Sequence, residues 1–246
     1  MAPRHDIYCY SAMGNSAWVA SELDRLLPEG FDDPVWVFPV HSWGVPLHVI
    51  EELEHTDFCG QRVHMVCTCG SETGNIDLQW RELLAKSNGV AGGIYSVVMP
   101  NTYVCFPFMD VDSAKVRDGK LEAARERVAD IARRIAERCD DVDLKRGPMP
   151  GFTSGTIYPF FFNKLMKWRK FHHTHACTGC GKCASLCPEA NITMVEGEPH
   201  WGSKCVYCLR CYHVCPSHAV AYGHQTGHKG QYLHPDFQRV IKFCQK

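Results

Sequence analysis

Apolar residues in the first half of the chain follow two alternating patterns. Short continuous runs at residues 6–10, 35–40, 63–67 and 93–99 are rich in β-branched and aromatic side chains and predict buried strands. Between them the spacing widens. Ala17, Val19, Leu23 and the pair Leu26 and Leu27 mark a helix over about 15–27. A second helix covers about 46–53, where Pro46 falls in the first turn and is tolerated there. A third covers about 76–85. The charged stretch 113–139 places Leu121, Ala124, Val128, Ile131 and Ile135 at steps of three and four, giving one buried stripe on a long helix. Strands alternating with helices predict an α/β fold: an open parallel sheet, right-handed crossovers and helices on both faces. Ligands of such sheets sit at the carboxyl ends of the strands, near the point where strand order reverses.

The texture changes after residue 147. Gly147-Pro148-Met149-Pro150-Gly151 breaks helix and divides the chain into 1–147, 148–170 and 171–246. The middle segment is aromatic and basic: Tyr158, Phe160, Phe161, Phe162 and Trp168 stand among Lys164, Lys167, Arg169 and Lys170. It reads as a docking segment that fixes the last part of the chain against the first. The competing reading, a helix lying on a membrane surface, is disfavoured by its short length and lack of a clean apolar face. In the last segment, 192–195 and 219–222 read as short strands, with Glu196-Gly197-Glu198 as a hairpin turn. His172, His173 and His175 read as a solvated linker rather than as metal ligands.

Eight of the fifteen cysteines write one pattern twice, C-x2-C-x2-C-x3-C-P. The first copy is Cys177, Cys180, Cys183 and Cys187; the second is Cys205, Cys208, Cys211 and Cys215. A loop of this spacing puts three thiolates on three corners of an iron–sulfur cube and sends the fourth to the neighbouring cube. The repeat predicts two [4Fe–4S] clusters with crossed ligation: Cys177, Cys180, Cys183 and Cys215 on one, Cys205, Cys208, Cys211 and Cys187 on the other. Zinc ribbons need only paired knuckles, which would leave the third and fourth cysteines surplus. A disulfide framework suits a much shorter secreted chain than these 246 residues. Cys67 and Cys69 read as buried sulfur rather than redox thiols, as do Cys9, Cys59, Cys105, Cys139 and Cys244. A formal net charge of −1 gives no case for nucleic acid. No apolar stretch reaches the roughly 18 residues that a membrane span needs. With no signal-peptide pattern at the start, these features predict a cytoplasmic protein with reduced thiols.

The turn after the first strand, Ser11-Ala12-Met13-Gly14-Asn15-Ser16, runs straight into a helix. Small residues and a glycine let backbone N–H groups converge on an anion at the positive end of the helix dipole. The turn contains neither G-K-[ST] nor G-x-G-x-x-G, so it advertises neither a triphosphate nor a nicotinamide site. An uncharged cradle suits a terminal monophosphate such as that of FMN. An ordinary helix cap by Ser11 or Asn15 explains the same residues equally well.

Y-S-A-M-G-N-S resembles the phosphate loop of flavodoxins. Pro39-Val40-His41-Ser42-Trp43-Gly44 resembles the flavin loop of bacterial flavodoxin–ferredoxin fusion proteins. Cys67-Thr68-Cys69-Gly70, Met99-Pro100-Asn101-Thr102-Tyr103 and, behind the second cysteine motif, Tyr222-Gly223, Thr226, Tyr232 and Pro235 are similar to the same family. The resemblance implies a flavodoxin-like FMN domain followed by a small α+β ferredoxin domain with two [4Fe–4S] clusters. It implies FMN contacts from Ser11, Ala12, Met13, Gly14, Asn15 and Ser16, from Pro39, Val40, His41, Ser42, Trp43 and Gly44, and from Thr68, Cys69, Gly70 and Tyr103. Trp43 would stack on the flavin ring, against the plainer reading of an apolar loop anchor. Met13 replaces a usual threonine, Ala12 a usual glycine and His41 a usual tyrosine, each costing about 1 kcal/mol of fit and predicting weak flavin retention. The short path between Leu27 and Val35 leaves no room for the family's second edge strand, so four clear strands are expected.

Such a fusion implies an electron-transfer flavoprotein serving a partner oxidoreductase. The alternatives are a flavin-dependent reductase of a quinone or other small acceptor, and a redox-sensing cluster protein without turnover.

Overall fold

A computed structural model describes residues 3–244. Its N-terminal part is one parallel sheet in the order β1 (Ile7–Cys9), β2 (Val35–Pro39), β3 (Arg62–Cys69), β4 (Val90–Val98), β5 (Val142–Asp143). The register runs Ile7 to Val35, Val35 to His64 and Val66 to Tyr95. Side chains alternate across it, as the pleat requires. Val35, Val37, Val66 and Val97 face α1 (Asn15–Leu26) and α4 (Ala114–Ala136). Trp36, Phe38, Met65 and Cys67 face α2 (Leu47–Glu54) and α3 (Ile76–Lys86). Of the stripe expected on α4, Ala124, Val128, Ile131 and Ile135 are buried and Leu121 is half-buried.

Two expectations need correcting. Strand order never reverses, so this sheet has no switch point. All four connections step the same way across it, yet their helices cover opposite faces, so they cannot all be right-handed. The chain leaves α1 and enters β2 with no strand outside β1, as the short path between Leu27 and Val35 requires. At the other edge the two-residue strand β5 pairs with Ile94 and Tyr95, a fifth strand that Val142 and Asp143 alone do not advertise.

Residues 150–165 form one helical segment in which ordinary α turns alternate with two wide π turns, Thr153–Ile157 and Phe161–Leu165. Wide turns of this kind cluster at functional positions. The segment bridges the two halves. Tyr158 Oη donates to the Val45 carbonyl at 2.7 Å and Ser154 Oγ to that of Trp43 at 2.8 Å. Phe161 is buried with the cluster module's core residues and packs on Tyr103 at 5.7 Å.

The C-terminal module is built from two small sheets. β6 (Phe171–His173) pairs antiparallel with β9 (Val220–Tyr222), and β7 (Ile192–Val195) with β8 (Glu198–Trp201). His172 and His173 are therefore strand residues rather than linker, because their backbone completes the ladder to β9. The turn between β7 and β8 is left-handed at both Glu196 (φ 50°) and Gly197 (φ 85°), the geometry of a tight hairpin. Left-handed residues also repeat between the cysteine motifs at a constant offset: Gly179 with Tyr207, Gly181 with Leu209, Ala190 with His218. The backbone copies itself as the cysteine spacing does.

Among the other cysteines, Cys9 and Cys244 are joined in a disulfide, which corrects their reading as unpaired buried sulfur. Cys59 is exposed, Cys139 is half-buried, and Cys67, Cys69 and Cys105 are buried. No helix among the described residues is long and apolar enough to cross a membrane.

Candidate cofactor site

The loops after β1, β2, β3 and β4 meet at the carboxyl ends of the strands and wall one cleft of about 1090 Å³, counting the space open to solvent. Every expected flavin contact except Gly14 and Gly44 lines it. Gly14 instead packs under the C-terminal segment, where an added Cβ would lie 2.9 Å from His234 Cβ. Gly44 packs under the Tyr158 ring. Ser71, Glu72 and residues 99–102 line it too, beside the expected loops; sequence reasoning missed Phe106, Met109, Phe161, Tyr207 and Leu209 and placed Cys208 only with the clusters. They come from distant parts of the chain, and no local pattern ties them to the loops.

The turn 11–16 is held from outside by its carbonyls. Arg210 donates from Nε to Ala12 O at 2.8 Å and from its fork to Ser11 O, and the His234 N–H donates to Met13 O at 2.9 Å. Among the described residues none of the backbone N–H groups of 11–17 donates to another group of the chain. Gly14, at φ 94°, makes the left-handed bend into α1, a conformation that favours glycine. No side chain caps that helix, so the capping reading of Ser11 or Asn15 is not what forms. Asn15 is engaged elsewhere: its Nδ2 donates to Pro100 O at 3.0 Å and its Oδ1 accepts from Tyr232 Oη at 2.9 Å. Ser16 and Thr68 share a hydrogen bond of 2.8 Å between their hydroxyls.

After β2, paired backbone bonds between His41 and Gly44 close a two-residue turn. Its tip residues Ser42 (φ 49°) and Trp43 (φ 65°) are both left-handed. Neither is glycine, and each costs about 1–2 kcal/mol in that conformation. Strain of this kind is retained where the surroundings enforce it, typically at ligand sites. Ser42 Oγ is buried without a partner. Burial pushes the His41 imidazole down to about 4, the Cys69 thiol up to about 12 and the Cys67 thiol well above its ordinary range. His41, Cys67 and Cys69 are therefore uncharged at neutral pH.

The residues fit a flavin mononucleotide on three counts: a turn of unengaged N–H groups for a phosphate, an orphaned hydroxyl, and an indole held at the cleft by a strained turn. They fit iron–sulfur clusters as well. Cys177, Cys180 and Cys183 of the first motif and Cys215 of the second line one small cavity, with Pro216 and Ser217 beside them. Cys187 lies close enough to Cys205, Cys208 and Cys211 for its charge to act on all three. These two groupings are the ones that crossed ligation would require. Burial raises Cys183, Cys208 and Cys211 and pushes Cys205 up to about 12. Cys215 is lowered: burial opposes, but the Ser217 hydroxyl and the Ala219 N–H hydrogen-bond its sulfur. No three His, Cys, Asp or Glu side chains among the described residues converge closely enough for a single metal ion.

The two sites adjoin. Cys208 belongs to the second cysteine set and also lines the cleft, flanked by Tyr207 and Leu209. Both neighbours are left-handed where the first motif has Gly179 and Gly181. The second motif thus tolerates backbone strain to present two large side chains to the cleft.

Residues 176–219 match the 4Fe-4S dicluster domain. No curated protein and no solved structure matches the chain. The chain carries a ferredoxin-like iron–sulfur domain, with electron-transfer capacity, behind an N-terminal α/β domain.

Proposed function

We propose that the chain is an electron-transfer iron–sulfur flavoprotein, moving single electrons between two [4Fe–4S] clusters and FMN on behalf of another oxidoreductase. Clusters exchange electrons one at a time, and a flavin exchanges one or two. The protein's part is to hold these groups close, exclude water and set their potentials. Cys177, Cys180, Cys183 and Cys215 would hold an outer cluster, with Cys180 exposed at the surface where a partner protein has access. Cys205, Cys208, Cys211 and Cys187 would hold an inner one. The N–H groups of 11–17 would receive the flavin phosphate, Ser42 Oγ would gain its missing partner, and Trp43 would cover the ring.

The observation that carries this reading is that Cys208 and Trp43 line the same cleft. A cluster ligand in the flavin's own wall leaves no intervening layer of protein. Purification without oxygen, with iron, sulfide and flavin quantified, tests it. Two four-iron clusters and one flavin per chain are expected. Colourless protein, or protein carrying zinc, would overturn the reading.

A second reading, reduction of a small acceptor at the flavin edge, draws on the apolar mouth of the cleft. Phe106 and Met109 line it, and Phe108, stacked on Phe106, is 85% exposed. Sustained turnover of a quinone without any protein partner would favour it.

A further inference from the structure

Arg210 is a buried cation, 7% exposed, and every hydrogen bond its guanidinium makes ends on an uncharged carbonyl. Nε reaches Ala12 O at 2.8 Å, one fork nitrogen reaches Leu186 O at 3.0 Å and the other reaches Ser11 O. Burying a charge is costly unless an opposite charge compensates it. Among the described residues no carboxylate pairs with it. Glu189, whose charge acts on Cys208, lies instead 3.0 Å from His48 Nδ1. What does lie beside Arg210 is sulfur: it sits between Cys208 and Cys211 in the chain, and its fork bonds the carbonyl of Leu186, the residue before Cys187.

The other motif has no counterpart to this. In the repeat, Cys180-Gly181-Lys182-Cys183 corresponds to Cys208-Leu209-Arg210-Cys211, so Lys182 takes the place of Arg210. Lys182 is exposed. Water and salt screen an exposed charge, while a buried one acts at nearly full strength on its neighbours. One backbone bond to sulfur is common to both motifs. The Asn191 N–H donates to Cys187 Sγ at 3.4 Å and the Ala219 N–H to Cys215 Sγ at 3.2 Å, at equivalent positions.

We propose that Arg210 tunes the inner cluster: its guanidinium makes the cluster of Cys205, Cys208, Cys211 and Cys187 the more easily reduced of the two, while its fork ties that cluster's loop to the turn 11–16. The inference rests on the cluster assignment above. One-electron reduction adds one negative charge to the cluster and breaks no bond, and Arg210 stays protonated throughout. A fixed cation beside the accepting site stabilises the added charge. Burial and the Glu189 carboxylate act in the opposite direction, and the titration measures the balance. The consequence is a downhill order from the exposed port to the flavin cleft.

The test is a redox titration of the intact protein, prepared without oxygen and followed by electron paramagnetic resonance with dithionite as reductant. Two couples are expected. At the poise that half-reduces the higher one, Arg210→Met should lower its ratio of reduced to oxidised cluster about tenfold, equivalent to 59 mV for a one-electron couple. Arg210→Lys, which keeps the charge, should stay within about twofold of the parent. Lys182→Met should move neither couple by more than that. If Arg210→Met sheds iron, Arg210→Gln serves the same purpose, since its amide still reaches toward Ala12. Unchanged couples in a neutral variant with full iron would overturn the proposal and leave the relay reading intact. So would inner-cluster loss in both neutral variants, which would make Arg210 a structural latch only. Absence of clusters in the parent protein would overturn the relay reading itself.

Discussion

The Tyr232 hydroxyl donates to Asn15 Oδ1 at 2.9 Å, joining the C-terminal segment to the turn expected to cradle phosphate. Asn15 Nδ2 meanwhile donates to Pro100 O, so the amide is spent on tying three loops together. The backbone of the turn, not this side chain, is what remains free for an anion. Tyr232→Phe should therefore lower stability by about 1 kcal/mol, the net worth of one hydrogen bond. Flavin content at saturating flavin should stay at the parent level. Asn15→Leu strands two groups and should cost about 2–3 kcal/mol. Urea unfolding alongside flavin quantification checks both. Parent stability with lost flavin in Asn15→Leu would show that the amide binds the phosphate after all.

Crossed ligation makes a second prediction. Cys187 precedes Pro188 at the end of the first motif, yet its charge neighbours are Cys205, Cys208 and Cys211 of the second. Cys187→Ala should therefore damage the inner cluster, the one beside the cleft, and spare the outer. Cys215→Ala should do the reverse, since Cys215 lines the cavity of Cys177, Cys180 and Cys183. Each should lose about half the iron, with a different resonance signal surviving. The same surviving signal in both variants would refute the crossing.

The cluster cysteines and the four cleft loops were legible because each is a local pattern: a spacing of sulfurs, or a small-residue turn after an apolar run. Legibility ended where the information is non-local. Arg210 is unremarkable between Cys208 and Cys211, and only the fold brings it to Ser11 and Ala12. Tyr207 and Leu209 look like ordinary motif filler until their left-handed backbone and their place in the cleft are seen together. The edge strand β5 escaped for a different reason. Two residues carry no period, and Val142 and Asp143 are strand only because Ile94 and Tyr95 offer them a free edge.

The closed turn at Ser42 and Trp43 depends on its neighbour. A Cβ at Gly44 would lie about 2.3 Å from the Tyr158 ring and 2.8 Å from Gln79 Oε1. Tyr158 cannot easily yield, because its hydroxyl is bonded to Val45 O at 2.7 Å and to Gln79 Nε2 at 3.1 Å. Gly44→Ala should cost about 1–3 kcal/mol through this overpacking. It should also weaken flavin binding about tenfold or more by displacing Trp43, while iron content holds. Flavin fluorescence titration and iron analysis separate the two effects. Parent flavin affinity in this variant would mean that Trp43 does not cover the ring.

Acid should loosen the latch over the turn 11–16. His234 stacks on Trp18 with ring centroids 5.6 Å apart, and its Nδ1 accepts the Asp236 N–H at 3.1 Å. Burial pushes its imidazole down to about 4 from the ordinary 6.5. Between those values the unfolded chain takes up a proton that the folded one refuses, so the contribution is complete above about pH 6.5 and drains away as pH falls toward 4. From pH 7 to pH 5 it is worth about 2 kcal/mol. His41 and His213, each also held at about 4 chiefly by burial, add in the same direction. His234→Phe keeps a ring against Trp18 but removes the titrating nitrogen and the acceptor for Asp236. It should lose about 1 kcal/mol at pH 7, yet lose less than the parent on going to pH 5. Urea unfolding at the two pH values, on parent and variant in parallel, measures the difference of slopes. Identical pH dependence in the two proteins would show that His234 is solvated in the folded chain, and that the latch does not sense acid through it.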